Sequence, residues 1–161
     1  MNLKRNLLLI IILILSLTIT ACVGVGTEEA PDFTLTDLEG NEVTLSDYIG
    51  EKPIFIKFWD PTCISCVEAM PEFQETYNEN KERSEFFMIN VRTSLAQTKS
   101  FMEENGYDIP VLMDTSMEVA EEYLVSSVPK MIFIDLDGKQ KFEYYGTWSQ
   151  SEINGLLDRE L

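Results

Sequence analysis

Histidine is missing from all 161 residues of this chain. Its absence excludes Ser-His-Asp and Cys-His nucleophile systems and every zinc site built on imidazole. Basic residues are scarce, with 12 Lys and Arg against 28 Asp and Glu and a formal charge of −16. So acidic a surface argues against nucleic acid and anionic lipid headgroups as partners, and it keeps a domain soluble. There are only three cysteines, Cys22, Cys63 and Cys66. The one C-x-x-C among them supplies two ligands where a structural zinc needs four, so no metal site is expected. Repeats and low-complexity segments are absent beyond the N-terminal region. No apolar run reaches the ~20 residues that span a bilayer.

What is present fits one ordinary domain: 45% hydrophobic and 25% charged residues over a length too short for two comfortable cores. The N-terminus reads differently from the rest. Lys4 and Arg5 precede an apolar run from Leu7 to Leu15, extended through Ser16 to Ile19. A positive start, an apolar middle and small residues before a cut describe a secretory signal over residues 1–21. Ile19-Thr20-Ala21-Cys22 resembles the lipobox of bacterial lipoproteins, in which cleavage falls before the cysteine and its sulfur carries a diacylglycerol. That resemblance implies lipidation at Cys22 and leaves Cys63 and Cys66 as the free thiols. Residues 22–30 read as a lipidated tether, with glycines, charges and no apolar period. Residues 31–161 remain for the domain.

The stretch around which the domain is organised is Lys57-Phe58-Trp59-Asp60-Pro61-Thr62-Cys63-Ile64-Ser65-Cys66. Pro53 to Trp59 reads as a buried strand, because β-branched and aromatic residues dominate it. Asp60-Pro61 ends the strand and an amphipathic pattern begins at once. Cys63 is expected in the first helical turn, where free N–H groups and the helix dipole favour a thiolate, the reactive form of cysteine. Cys66, three residues on, shares that helix face one turn deeper and can attack a mixed disulfide formed at Cys63.

Taken in order, Pro31 to Leu45 alternates on both sides of Glu39-Gly40-Asn41, which predicts a hairpin with Phe33, Leu35, Val43 and Leu45 inward. After Cys66, the apolar positions Met70, Phe73 and Tyr77 extend the helix, which Pro71 should kink. Phe86 to Val91 predicts a second buried strand. Ser94 with Gln97 predicts a capped helix, stopped at Asn105-Gly106, with Leu95, Thr98, Phe101 and Met102 facing the core. Ile109 to Met113 is extended, and Thr115 or Ser116 should cap a helix carrying Met117, Ala120 and Leu124. Strands at Met131 to Ile134 and Lys141 to Tyr145 flank an Asp137-Gly138 turn. Ser149 with Glu152 opens a last helix carrying Ile153, Leu156 and Leu157. This order predicts an α/β domain with a central mixed β-sheet flanked by helices on both faces.

Ala30-Pro31-Asp32-Phe33 with its hairpin, Phe58-Trp59-x-x-x-Cys63-x-x-Cys66, Pro71 and Val128-Pro129 together resemble the TlpA/ResA-like branch of the thioredoxin-fold family, within the wider AhpC/TSA-like superfamily. The resemblance implies a thioredoxin-like fold with an N-terminal β-hairpin extension. It also implies a cis bond before Pro129, and a docking surface formed by Trp59, Val128 and Pro129. Thr62 departs from the aromatic residue usual before the first cysteine, and Ile64-Ser65 replaces the usual Gly-Pro or Glu-Pro. Lys57 stands where thioredoxins carry a buried acid. A cationic Lys57 would lower the thiol pKa values, a neutral one could accept a proton, and one reaching water would do neither.

The leading expectation is a thiol–disulfide oxidoreductase acting through Cys63 and Cys66, with no cofactor. With neither a histidine nor an acidifying dipeptide, Cys63 should support a reducing or intermediate potential. The resemblance implies reduction of extracytoplasmic protein disulfides of the cytochrome c maturation type. It further implies electrons from a membrane thiol donor and a lipid anchor in the bacterial cell membrane. The rival reading is a non-catalytic lipoprotein binding module whose disulfide is structural.

Overall fold

The computed structural model describes residues 28–160. The signal segment 1–21 and Cys22 lie outside the described residues. Strands β1 (Glu28–Glu29), β2 (Thr34–Asp37) and β3 (Glu42–Thr44) come first, then β4 (Ile54–Trp59) with helices α1 (Ile64–Glu68) and α2 (Met70–Asn80). They are followed by β5 (Glu85–Asn90), α3 (Leu95–Asn105), β6 (Val111–Met113) and α4 (Glu118–Glu122). β7 (Lys130–Ile134), β8 (Lys139–Tyr145) and α5 (Gln150–Glu160) complete the domain. The eight strands form one mixed sheet in the order β1-β8-β7-β4-β5-β6-β2-β3.

β4 is the central strand and is buried along its whole length. It pairs in parallel with β5 and antiparallel with β7. Its alternating side chains feed two cores. Phe55 and Trp59 join Phe73, Phe86, Met131 and Ile153 on one side, while Ile54, Ile56 and Phe58 join Phe33, Leu45, Phe87 and Ala120 on the other. Full burial of each such side chain stabilises by about 1.5–3 kcal/mol. The crossovers β4–α1/α2–β5 and β5–α3–β6 run the same way along the sheet, so right-handed connections put α2 and α3 on one face. The chain then reverses direction to reach β7, and α4 packs on the opposite face.

Four local expectations require correction. Pro71 does not kink a continuous helix. The helix ends at Ala69 and restarts, which leaves Pro71 in the first turn of α2, where a missing N–H costs nothing. Neither Thr115 nor Ser116 is the N-cap of α4. That residue is Met117, in a left-handed conformation with φ 63°, and the Asp114 carboxylate accepts the Ala120 N–H at 2.8 Å instead. Leu95 and Leu124 are 44% and 79% exposed and lie outside the core. The tether assigned to residues 22–30 is shorter at its far end, since Glu28–Glu29 pair with Gln140 and Lys139 of β8. Ala30 is buried there and its N–H bonds the Gly138 carbonyl at 2.9 Å.

Both predicted capping pairs form. Ser94 Oγ accepts the Gln97 N–H and donates to Gln97 Oε1, and Glu152 Oε2 accepts from both Ser149 N and Ser149 Oγ. Gly106 closes α3 in the left-handed conformation, with φ 68°. Ser94→Ala is expected to lower stability in urea denaturation by about 1 kcal/mol, the usual loss for an N-cap hydroxyl.

Candidate active site

The site begins where β4 stops. The Asp60 carbonyl accepts the Cys63 N–H at 3.0 Å, which turns the chain into α1. The Asp60 carboxylate is buried and ties the turn together. It accepts from Thr62 N at 2.7 Å, from the Thr62 hydroxyl, and from Thr93 Oγ1 at 2.9 Å. Thr62 is thus tied into the turn by both its amide and its hydroxyl, while the residue stays exposed beside Cys63. Sequence reasoning missed Asp60 and Thr93. The Asp-Pro pair read only as a strand breaker, and Thr93 joins it from 33 residues away.

Cys63 is the N-cap of α1 in extended conformation, and its Sγ accepts the Cys66 N–H at 3.2 Å. Ser65 Oγ lies 3.5 Å from the same sulfur. The two cysteines are joined as a disulfide, with their Cα atoms 5.2 Å apart. Cys63 is partly exposed, whereas Cys66 has no accessible surface. A reduced pair held this way presents one sulfur to an incoming chain and keeps the other beneath it. The N–H and the hydroxyl both favour a thiolate at Cys63.

The structure also brings residues 128 and 129 to this sulfur. The Val128–Pro129 bond is cis, and the Val128 carbonyl oxygen lies 3.7 Å from Cys63 Sγ. A shallow cavity of about 410 Å³ adjoins them, lined by Ser65, Ala69, Ser127, Pro129, Gly146 and Thr147. Exposed Ile64, at 77%, adds apolar surface beside Cys63. Trp59 does not share this surface. Its side chain is fully buried and packs on Phe101 with ring centroids 5.6 Å apart, so it supports the site from below rather than contacting a partner. The strand alternation that aims it at the core is the physical reason.

A second set of residues fixes the loop that carries Val128. Tyr145 Oη donates to the Leu124 carbonyl at 2.9 Å and accepts from Ser126 N and Oγ. Buried Lys130 donates to the Tyr123 carbonyl at 2.9 Å, pairs with Glu143 at 2.8 Å and lies 5.1 Å from the Tyr145 ring centroid. This clamp was invisible in the sequence, because its members come from the loop, β7 and β8.

Lys57 is buried in the middle of β4, 4.2 Å from the Phe73 ring centroid, and its Nζ has no hydrogen-bond partner. It does not reach water. Burial pushes its pKa down to about 7.

Against this geometry, the AhpC/TSA family matches residues 26–142. The chain belongs to that family. Within it, the similarity is to thiol–disulfide oxidoreductases. The chain is 36% identical over 137 residues to the thiol-disulfide oxidoreductase ResA of Geobacillus kaustophilus, covering 84% of this chain and 78% of that one. It is 32% identical over 131 residues to ResA of Bacillus subtilis, covering 81% and 73%. Among solved structures, the pneumococcal exposed lipoprotein thioredoxin Etrx1 of Streptococcus pneumoniae is 30% identical. It superimposes with a TM-score of 0.70 over 80% of this chain and 99% of that one. This family member is a TlpA/ResA-like thiol–disulfide oxidoreductase with a thioredoxin-like fold.

A depressed lysine pKa has a definite sign in stability. Between about pH 7 and 10.5 the unfolded chain holds the Lys57 proton and the folded chain does not, so this residue makes stability rise with pH across that window. At and below pH 7 its burial penalty is largest. Lys57→Met is expected to stabilise the oxidised protein most at neutral pH. It should also remove a slope of up to about 1.4 kcal/mol per pH unit, read by urea denaturation at stepped pH.

Proposed function

We propose that this oxidoreductase is a lipid-anchored, extracytoplasmic reductant of protein disulfides that acts through Cys63 and Cys66. The observation that carries the reading is the partly exposed Cys63 above a sealed Cys66, beside the Val128 carbonyl. In the forward direction the Cys63 thiolate attacks one sulfur of a partner disulfide, and the other sulfur leaves as thiolate. Cys66 loses its proton and attacks Cys63 Sγ. The partner's second thiolate departs and the Cys63–Cys66 bond closes. Two electrons pass to the partner, and a thiol donor must reopen the pair. Val128 and Pro129 form the docking edge, where the partner's backbone bonds beside its sulfur.

A reducing direction is supported by the modest means of stabilising the Cys63 thiolate, one backbone N–H and one serine hydroxyl. A strong oxidant requires a far more stable thiolate. Likeness to the ResA proteins supports substrates of the cytochrome c maturation type, meaning oxidised Cys-x-x-Cys-His segments, with electrons from a membrane thiol donor. The charged start, apolar run and lipobox support export and lipidation at Cys22, with a signal over residues 1–21 and a tether that ends before Glu28. A solved relative described as an exposed lipoprotein agrees with that assignment.

Reduction of insulin with dithiothreitol should proceed with the wild type and fall to background in Cys63→Ser. Cys66→Ser should accumulate a mixed disulfide visible on a non-reducing gel. Equal rates for the wild type and the double serine variant would refute the catalytic reading. Radioactive palmitate fed to expressing bacteria should label the wild type and not Cys22→Ala.

A further inference from the structure

The sheet ends on one side in a strand that is only partly covered. β8 runs from Lys139 to Tyr145, and β1 pairs with it at Lys139 and Gln140 alone. Among the described residues nothing pairs with its outer edge from there to Tyr145. The Gly146 N–H bonds the Pro129 carbonyl at 2.9 Å. An antiparallel strand turns alternate residues to alternate neighbours, so Phe142 and Tyr144 also bond inward and the backbone groups of Glu143 and Tyr145 face out. Phe142 and Tyr144 are 36% and 48% exposed beside this edge, and Tyr144 stacks on Trp148 with ring centroids 6.3 Å apart. Unpaired strand backbone bordered by aromatic surface is a template for another strand, and native sheets cover such edges.

The chain holds a segment of the right length in the right place. Residues 22–27, Cys-Val-Gly-Val-Gly-Thr, lead directly into β1 and lie outside the described residues. Extending β1 backwards carries them along β8 towards Gly146, since the two strands are antiparallel. Sidedness settles the register. Gln140 is opposite Ile134 and Phe142 opposite Phe133, so Lys141 is the extra residue of a bulge, and Gln140 and Phe142 lie on opposite faces. Glu28 shares a face with Gln140, so Thr27, Val25 and Val23 would share the face of Phe142 and Tyr144. With the bulge absorbed, Val25 falls opposite Tyr144 and Val23 opposite Gly146. Gly26 and Gly24 fall opposite Glu143 and Tyr145, whose outward backbone groups they meet. The phase of the existing pairing agrees. The Ala30 N–H bonds the Gly138 carbonyl, and Gly26 and Gly24 lie an even number of residues before Ala30. Two valines are too few to mark a strand by themselves, but here they continue one.

We propose that the outer edge of β8 is the docking site of the chain's own residues 23–27, which prolong β1 as far as Gly146. The consequence for the membrane rests on the reading of Cys22 as lipidated, whereas the pairing needs only the chain. Docked, the tether brings Cys22 just past Gly146, which with Ser65 and Pro129 lines the cavity next to Cys63. The lipid then lies at the sulfur end of the sheet, ~20 Å along β8 from the start of β1. Released, the same tether leaves the lipid at the opposite end. The pairing is weak, because Gly24 and Gly26 lose more freedom than other residues on entering a strand. Contact of Val25 with Tyr144 across the strands favours it. That balance lets the tether dock and release. A membrane thiol donor meets the disulfide in the docked state, and soluble partners meet it in the released one.

The test is hydrogen exchange read by mass spectrometry on the mature chain from Cys22, in detergent and in phosphatidylcholine nanodiscs. The amides of Glu143 and Tyr145 should exchange about tenfold more slowly in the wild type than in Gly24→Pro/Gly26→Pro, which removes two ladder donors and leaves the described domain untouched. Gly24→Thr/Gly26→Thr, with better strand formers, should slow them further. Equal exchange in all three would overturn the docking. Protection that survives the proline variant and grows with protein concentration would overturn it too, since a second copy would then cover the edge. In nanodiscs, a donor dye on Cys63 should transfer energy to acceptor headgroups, and the transfer should fall in the proline variant. Equal transfer in the two would overturn the change of orientation. Chains that show the expected exchange in detergent but fail to enter nanodiscs would overturn the lipid on Cys22 and uphold the pairing, so the two readings fail separately.

Discussion

The site depends on a sharp change of environment across three residues. Cys63 stands at the water's edge, held by the Cys66 N–H, and Cys66 is sealed against the same core as Phe73 and Met70. That difference arises because β4 is buried throughout and delivers the chain into α1 within four residues, leaving no room for a longer loop. The Asp60 carboxylate makes so tight a turn stable by taking up the Thr62 amide and both threonine hydroxyls. Chemistry at Cys63 is thus prepared by a hydrogen-bonded turn, and chemistry at Cys66 by packing.

The loop carrying Val128 is treated in a similar way. Its neighbour Leu124 is exposed and left-handed, so the loop gains little from burial. Polar ties to Tyr145 and Lys130 hold it instead, and they join it to two strands of the sheet. Bonding to charged groups is worth more than bonding between neutral ones, which suits a short loop that must present one carbonyl at a fixed position.

Much of the architecture was legible in the sequence because it follows from local signals. The alternation around Gly40, the apolar run ending at Trp59 and the pairs Ser94 with Gln97 and Ser149 with Glu152 each fix an element through its own residues. The cysteine spacing, together with Val128-Pro129, pointed to one place, and the fold brings them within 3.7 Å. What escaped was decided by partners distant in the chain. Met117 adopts a left-handed conformation because Asp114 reaches past it to the Ala120 N–H. Leu95 is exposed because the neighbouring elements leave its face of α3 uncovered, and Trp59 is buried, as its strand predicts, and so takes no part in the docking surface that the resemblance implied. The Asp60–Thr93 bond and the Tyr145 clamp leave no spacing pattern that a single sequence could reveal.

The edge strand β1 sets how the molecule can be oriented. Glu28 and Glu29 pair with Gln140 and Lys139, at the opposite end of β8 from Tyr145 and therefore at the opposite end of the sheet from Cys63. With a lipid on Cys22 and the tether off the sheet, five residues remain before this fixed point, a contour of at most about 20 Å from Cys22 to Glu28. The domain would then stand on a short stalk with its sulfurs uppermost, remote from the bilayer by roughly the height of the sheet. Any protein exchanging electrons with it would have to lift its own cysteines to that level, or tip the whole domain over to meet them.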